Sequence, residues 1–280
     1  MEKEERLREI LAVVNDKGGV GKSTTVHNLA AALIRRDMNL RILIIDLDAQ
    51  AANVSLLCGW RNITERHGTM YEAMVNKTPI PCYQVSIPNN NYHNNLFIAP
   101  SSTELLGIEP FLLREMNPLK VLCKLFAQPV SINGTEQSII EAFDYVLIDC
   151  PPAMNLVTKN AMTVATGIIV PMQLEALATF GSSSVIKWAQ EIKAELNPNL
   201  DLRGILKVMV DKRTNVSRDF DSHINEEYGD YVFKTEIPRR TKIIEAQAML
   251  QDIFTYRPQD DAAKAYDLFA KEIIKTYKEE

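Results

Sequence analysis

Residues Ile10-Leu-Ala-Val-Val14 run directly into Asn15-Asp16-Lys17-Gly18-Gly19-Val20-Gly21-Lys22-Ser23-Thr24, and an amphipathic segment, Gly21–Arg36, follows without a gap. The apolar run reads as a strand covered on both faces, and the segment after it as a helix. Glycines at 18, 19 and 21 let successive backbone N–H groups wrap an anion without Cβ clashes. The helix points its N-terminus at the same anion. Lys22 can reach the β and γ phosphates of a nucleoside triphosphate, and the Ser23 hydroxyl can ligate Mg²⁺. The strict phosphate-loop pattern asks for glycine five places before Gly21, where Asp16 stands; a second lysine, Lys17, sits at the loop's entrance. The plainer alternative is a glycine-rich turn with exposed lysines, and six specified residues between a strand and a helix weigh against it. The rival dinucleotide fingerprint needs G-x-G-x-x-G, which is absent, and gives the lysine no role.

Outward from this turn, short apolar runs alternate with amphipathic segments. Strands are expected at Ile10–Val14, Arg41–Asp46, Leu96–Ala99, Tyr145–Asp149, Gly167–Pro171 and Gly204–Val210. Helices are expected at Gly21–Arg36, Phe111–Ala127, Leu174–Leu196 and Asn215–Tyr228. That order predicts an α/β fold, a doubly wound and mostly parallel sheet with helices on both faces and ligands beyond the carboxyl ends of its strands. No boundary divides the chain, so residues 1–280 are read as one domain, with 1–9 as a leader and 82–95 as a surface loop.

Composition narrows the classes. With 280 residues, 46% of them hydrophobic, the chain can bury a core that needs no disulfide or metal staple. A net charge of −5 excludes a constitutively basic nucleic-acid coat, so any DNA contact requires a local patch. Cys58, Cys82, Cys123 and Cys150 form no C-x-x-C pair, and His27, His67, His93 and His223 show no ligand spacing, so neither a disulfide framework nor a zinc site is expected. The stretch Ala161–Phe180 is interrupted by Thr163, Thr166, Pro171, Gln173 and Glu175, too often to span a bilayer, and the N-terminus lacks a secretory core.

Two apolar runs end in aspartate: Arg41-Ile-Leu-Ile-Ile-Asp46-Leu-Asp48-Ala-Gln50 and Phe143-Asp-Tyr-Val-Leu-Ile-Asp149-Cys-Pro-Pro152. Carboxylates there lie beside the loop, where Mg²⁺ needs oxygen ligands or water-bridged partners, and Asp149 reads as the Walker B aspartate. Aspartates also follow strands for no chemical reason, so geometry has to decide.

The run Lys-Gly-Gly-Val-Gly-Lys-Ser-Thr (17–24) resembles the deviant Walker A loop of the ParA/MinD family of P-loop ATPases. The similarity extends from Ile10 to about Ile274 and is strongest to the ParA (Soj-like) partition branch. The resemblance implies a P-loop NTPase of the deviant Walker A type that binds ATP and Mg²⁺ through Lys17, Gly18, Gly19, Val20, Gly21, Lys22, Ser23 and Thr24. It makes Lys17 the lysine that reaches across an ATP-sandwiched homodimer to the other subunit's phosphates. Asp149-Cys-Pro-Pro152 is similar to the family's D-x-P-P switch, and Asp46-Leu-Asp48-Ala-Gln50 to its D-x-D-P-Q, with Ala49 in place of proline. By that likeness Lys17, Lys22 and Asp48 are catalytic, Asp48 orienting the attacking water, while Ser23, Asp46 and Asp149 serve the metal. Val170-Pro-Met-Gln-Leu-Glu175 resembles the family's V-P-x-Q-x-E turn; a strand end followed by a helix N-terminus explains it equally well. The base would be read from Asp211 and from the I-P-R turn at Pro238 and Arg239, although a helix N-cap at Thr214 or Asn215 accounts for much of the first segment.

Basic residues gather near two turns, Lys207, Lys212, Arg213 and Arg218 at one and Lys234, Arg239, Arg240 and Lys242 at the other. The run from Pro238 to Ala246 resembles the partition family's I-P-R-N-V-R-L-S-E-A, with Arg240 for the asparagine and Lys242 for the second arginine; Arg213 matches the arginine of D-A-R-T-N. The resemblance implies that Arg213, Arg240 and Lys242 hold DNA without sequence preference in the ATP-bound dimer. Two copies add phosphate contacts and release counterions; a merely solvated charged face is the alternative. The expected protein is a slow ATPase, stimulated by a ParB-like partner, acting in the cytoplasm at the nucleoid in DNA partition or cargo positioning. Membrane attachment, as in the MinD branch, is not expected. The last helix sets Ala262, Tyr266, Phe269, Ile273 and Tyr277 at helical spacing beneath a polar side of six acids against four lysines, which suits docking on the core. Competing readings are an ATP-using small-molecule enzyme, a metal-cluster carrier for which Cys123 and Cys150 lack a motif, and a nonhydrolysing interaction protein. With about ten residues before the loop strand, a preceding DNA-reading domain is not expected.

Overall fold

The computed structural model describes residues 8–50, 54–60, 68–85, 93–174, 178–211, 222 and 224–279. The chain enters through β1 (Glu9–Val13), the phosphate-loop turn, α1 (Lys22–Arg36) and β2 (Ile42–Asp46). It continues through α2 (Val54–Leu57), α3 (Met70–Asn76), β3 (Tyr83–Gln84), β4 (Leu96–Ala99), α4 (Glu109–Leu112) and α5 (Val121–Phe126). A hairpin of β5 (Val130–Ile132) and β6 (Thr135–Gln137) precedes α6 (Ile139–Ala142), β7 (Tyr145–Asp149), α7 (Leu156–Val164), β8 (Gly167–Gln173) and α8 (Ala178–Glu195). The last elements are β9 (Asp201–Val210), β10 (Val232–Pro238), α9 (Thr241–Ala248), α10 (Ile253–Tyr256) and α11 (Asp261–Glu279).

Among the described residues, eight strands form one sheet in the order β10-β9-β8-β1-β7-β2-β4-β3. Every pairing in it is parallel except β3 against β4. The expected doubly wound sheet is therefore present, and β1 lies in its middle, so the turn after β1 emerges at the centre of the carboxyl edge. Side chains of β1 alternate between two cores: Ile10 and Ala12 pack with α5, α7 and α8, while Leu11 and Val13 pack with α1 and α11. Both faces are covered, which is why the central strands read as unbroken apolar runs. Burying one such Leu, Ile or Phe contributes about 1.5–3 kcal/mol. Tyr266, Phe269 and Ile273 of α11 are buried in the second core, so that helix docks as expected.

The structure departs from the expected elements in identifiable ways. Phe111–Ala127 is not one helix: Pro110 starts the short α4, and Pro118, which lacks an N–H, starts a separate 3₁₀ turn before α5. β8 does not stop at Pro171. Beyond Ile169 its β1 partner has ended, so the missing proline N–H costs no ladder bond and the strand runs on to Gln173 beside β9. β9 begins earlier, at Asp201. β10 was not expected as a strand because it is an edge, alternating buried Phe233, Thr235 and Ile237 with Lys234 and Glu236. Glu9 belongs to β1 rather than to a leader, and the 82–95 segment contributes β3. Of the expected helix Asn215–Tyr228, residues 224–228 are helical, and 212–221 lie outside the described residues.

Candidate phosphate-loop site

The loop is built by conformation before chemistry. Gly19 and Gly21 take φ of +73° and +81°, which a Cβ would make strained. Val20 between them is buried and plugs the turn into the core. The loop's entrance is tied by Asn15, whose Oδ1 accepts from the Lys17 N–H at 2.9 Å and whose Nδ2 donates to the Pro171 carbonyl at 2.7 Å. Ser184 of α8 donates to Asp16 at 3.0 Å. The N-cap of α1 is Gly21, and no side chain caps its first turn. By contrast, Asn155 and Asp252 cap α7 and α10 with their side chains. The uncapped N–H groups of α1 therefore face the loop's concavity as an anion site.

The carboxylates meet this loop across the sheet. Asp149 pairs in register with Val13 on one side and with Asp46 on the other, so three strand ends converge. Asp149 is fully buried, and neither of its carboxylate oxygens has a hydrogen-bond partner. Burial pushes its carboxyl up to about 7; the Asp48 charge adds to this, and the Ser23 hydroxyl and Lys22 ammonium oppose it. Asp46 is also fully buried, and burial followed by the Asp149 charge raises it well above the carboxylate range. Its oxygens are committed: Oδ1 accepts from the Asp48 N–H at 3.0 Å, and Oδ2 from the Ser55 N–H at 2.8 Å and hydroxyl at 2.5 Å. The metal-ligand expectation for Asp46 meets a carboxylate bonded into the chain, shaping the Asp48 loop. Asp48 accepts from the Gln50 N–H at 3.0 Å, and burial raises its pKa against the pull of that bond and of Lys22. Lys22 is buried, with its ammonium 3.1 Å from the Lys17 carbonyl. Desolvation lowers its pKa, opposed most by Asp149 and then by Asp48.

These residues fit a magnesium triphosphate. A buried carboxylate without partners beside a helix-start hydroxyl offers two oxygen ligands, and Mg²⁺ takes its remaining ligands from phosphate and water. Among the described residues no cluster of three or more His, Cys, Asp or Glu forms an all-protein metal cage.

Known proteins resemble this chain in sequence and fold. A family model for AAA domains, AAA_31, matches residues 8–202. The chain is 31% identical over 267 residues to the chromosome partitioning protein ParA of Caulobacter vibrioides, covering 95% of this chain and 93% of that one. It is 30% identical over 265 residues to the sporulation initiation inhibitor protein Soj of Bacillus subtilis, covering 95% and 98%. The chain belongs to the ParA/MinD family of P-loop ATPases. Among solved structures, cobyrinic acid a,c-diamide synthase of Mycobacterium smegmatis, with bound ATP analogue and magnesium, matches at 28% identity and a TM-score of 0.74, covering 96% and 95%. The cell division ATPase MinD of Pyrococcus furiosus shares the fold at 23% identity and a TM-score of 0.72, covering 96% and 100%.

Within this ParA/MinD frame, the other expected residues divide. Asp211, Pro238 and Arg239 line one cleft of about 710 Å³ at the carboxyl ends of β9 and β10, and the Arg239 N–H donates to Val210. Arg240 faces the same cleft but is held by Asp261 at 2.5 Å, and Lys242 is held by Glu245 at 2.7 Å. Arg213, Lys212, Arg218 and Glu175 lie outside the described residues. Lys207 leaves the basic cluster altogether: it is buried, 2.7 Å from Glu236, because β9 turns it inward against β10. Among the described residues no helix is long and apolar enough to cross a membrane.

The expectations missed three contacts. Ser55 clamps Asp46, and its hydroxyl accepts from the Ser101 N–H at 3.0 Å. Gln247 of α9 donates to the Thr24 hydroxyl at 2.7 Å. Gln173 donates to the Gly19 carbonyl at 3.2 Å, and Met209 lies beside both Gln173 and Gly21. Only Gln173 had a sequence signal, the V-P-x-Q-x-E likeness.

Proposed function

We propose that this chain is an ATP- and Mg²⁺-dependent switch that hydrolyses ATP slowly and forms a homodimer around it. In that state it holds DNA without sequence preference, serving the partition of DNA or the positioning of another cargo at the nucleoid. The observation that carries this reading is a two-lysine phosphate loop set against Asp149, a buried carboxylate with both oxygens unbonded. Relatives named as chromosome partitioning proteins support the cellular role.

The N–H groups of the loop and of the first turn of α1 hold the phosphates, and Lys22 swings from the Lys17 carbonyl to the β and γ oxygens. Ser23 and Asp149 would hold Mg²⁺, which would supply charge neutralisation for the phosphates. Lys17 of each copy reaches the nucleotide of the other. Asp48 accepts a hydrogen bond from the attacking water and aims it at the γ-phosphorus, and its raised basicity suits it to take the proton as the bond to the ADP oxygen breaks. Asp46 acts through Asp48, by fixing its backbone. Asp211, Pro238 and Arg239 take the base, and Arg213, Arg240 and Lys242 meet DNA. A ParB-like partner speeds hydrolysis and so ends DNA retention.

One observation favours a second reading, an enzyme that spends ATP on a small substrate: the 28% identity to a solved diamide synthase. DNA retention measured with no nucleotide, ADP or ATP across a salt series separates the two. Retention with ATP alone, falling steeply with salt, is expected for the switch. Nucleotide-independent retention, or a phosphorylated or amidated small-molecule product, overturns it.

A further inference from the structure

Two contacts from one strand hold the phosphate loop. The backbone of β8 presents every second residue to the β1 side, and Ile169 accepts there from the Val14 N–H at 3.0 Å. Two residues on, the Pro171 carbonyl accepts from Asn15; two further, Gln173 ends the strand and its Nε2 donates to the Gly19 carbonyl at 3.2 Å. β1 has already ended at Val13, so this edge of β8 is open to the loop instead of to a strand.

The Gly19–Val20 peptide needs such a hold. A Cβ built at Gly19 meets nothing within 4 Å, so on the Gly19 side no packing fixes its orientation, although Val20 is buried. Described peptide bonds here are trans, and a trans unit points its C=O and N–H in opposite directions. With the Gly19 carbonyl held on the outside by Gln173, the Val20 N–H turns to the concave side, toward the site of a phosphate oxygen. Met209 backs the same glutamine: its thioether lies 2.7 Å from the Gln173 amide nitrogen, and its methyl is 3.6 Å from a Cβ position on Gly21. Met209 takes φ +53°, rare for a side chain of this size and of the kind retained where surrounding structure demands it.

We infer that Gln173 is a positioning residue for phosphate recognition, orienting the Gly19–Val20 peptide so that its N–H receives the nucleotide's phosphates. The inference rests on the reading of this loop as the nucleotide site. Its test uses the full chain, with Mg²⁺-ADP and adenosine titrated calorimetrically against the parent, Gln173→Leu and Gln173→Glu, and thermal midpoints recorded without nucleotide. Parent binding of ADP is the check on the underlying reading; without it that reading fails. Given parent binding, Gln173→Leu is expected to weaken ADP about fivefold to tenfold, the range for one lost hydrogen bond. Adenosine affinity and the nucleotide-free midpoint should stay at parent values. Gln173→Glu, equal in shape, should weaken ADP further because its carboxylate repels the Gly19 carbonyl and drives that peptide out of its orientation; this variant decides the matter if the leucine protein does not fold. ADP affinity at the parent level in the glutamate variant, or equal weakening of ADP and adenosine in either, overturns the inference.

Discussion

Replacing Asp149 by asparagine probes the site through folding before any turnover is measured. Burial moves the Asp149 carboxyl from its ordinary 3.8 up to about 7 in the folded chain. Below about pH 4 both folded and unfolded chains hold the proton, and the group leaves stability unchanged. As pH rises the unfolded chain ionises first while the folded chain keeps its proton, so stability falls until the folded carboxyl also ionises near pH 7. Roughly three pH units at about 1.4 kcal/mol each make a destabilisation on the order of 4 kcal/mol at pH 8. Asparagine keeps the shape and drops the charge, so it removes the pH-dependent part. Asp46, which Asp149's charge also disfavours, gains in the same direction. Urea unfolding of parent and variant at pH 5.5 and pH 8 should show the variant ahead by a few kcal/mol at pH 8, with its lead smaller by about 2 kcal/mol at pH 5.5. The variant should also lose the Mg²⁺-dependent part of ADP binding. A variant-minus-parent difference that is the same at both pH values refutes the argument that Asp149 is a strained, desolvated carboxyl waiting for a cation.

Asp48→Ala should retain ATP-dependent dimers by sedimentation while phosphate release falls by about 10²–10⁴-fold, the range for a lost general base; unimpaired release would remove Asp48 from the mechanism. Gly21→Ala forces a Cβ into φ +81°, at a cost of about 1–2 kcal/mol, and should lower both the thermal midpoint and ADP affinity. Asp252→Ala removes the cap that accepts from the Phe254 and Thr255 N–H groups at 2.9 Å, so denaturant unfolding should show a loss of about 0.5–2 kcal/mol. That loss should leave ADP affinity nearly intact, because Asp252 meets α1 beyond its first turn, through its charge on His27 and the neighbouring bond from the Ile253 N–H to Asn28.

What could be read from the sequence was what is local or covered. The phosphate loop announces itself because each of its constraints, left-handed glycines and a lysine and serine at a helix start, falls within ten consecutive residues. The central strands were legible because burial on both faces leaves no polar residue to interrupt them, and Asp46 and Asp149 because a carboxylate at the end of such a run is conspicuous. Register between those two aspartates could not be read, since it depends on β2 lying beside β7 across the fold. β10 was lost for the opposite reason: one open edge lets charges alternate with core residues, and the run looks like a loop. Pro171 misled because a proline ends a strand only where its missing N–H has a partner to lose, and here β1 had already turned away. Gln173 to Gly19 spans 154 residues and Gln247 to Thr24 spans 223; no pattern in one sequence marks such pairs.

The proposed DNA surface carries its own opposition, and that bears on how a switch could work. Arg240 is held by Asp261 and Lys242 by Glu245, on a chain whose net charge is −5. Exposed pairs of this kind are worth about 0–1 kcal/mol, so a DNA phosphate can take over either cation. The displaced acids nevertheless stay beside the duplex and repel it, which keeps a single copy's affinity low. Joining two copies turns the second set of contacts into an intramolecular event, so the small net attraction of each copy adds in free energy and multiplies in affinity. Strong, unopposed cations would hold DNA with or without nucleotide, and no signal would remain for hydrolysis to reset. On the proposed reading, the paired acids therefore make DNA retention depend on the dimer, and the dimer on what the phosphate loop contains.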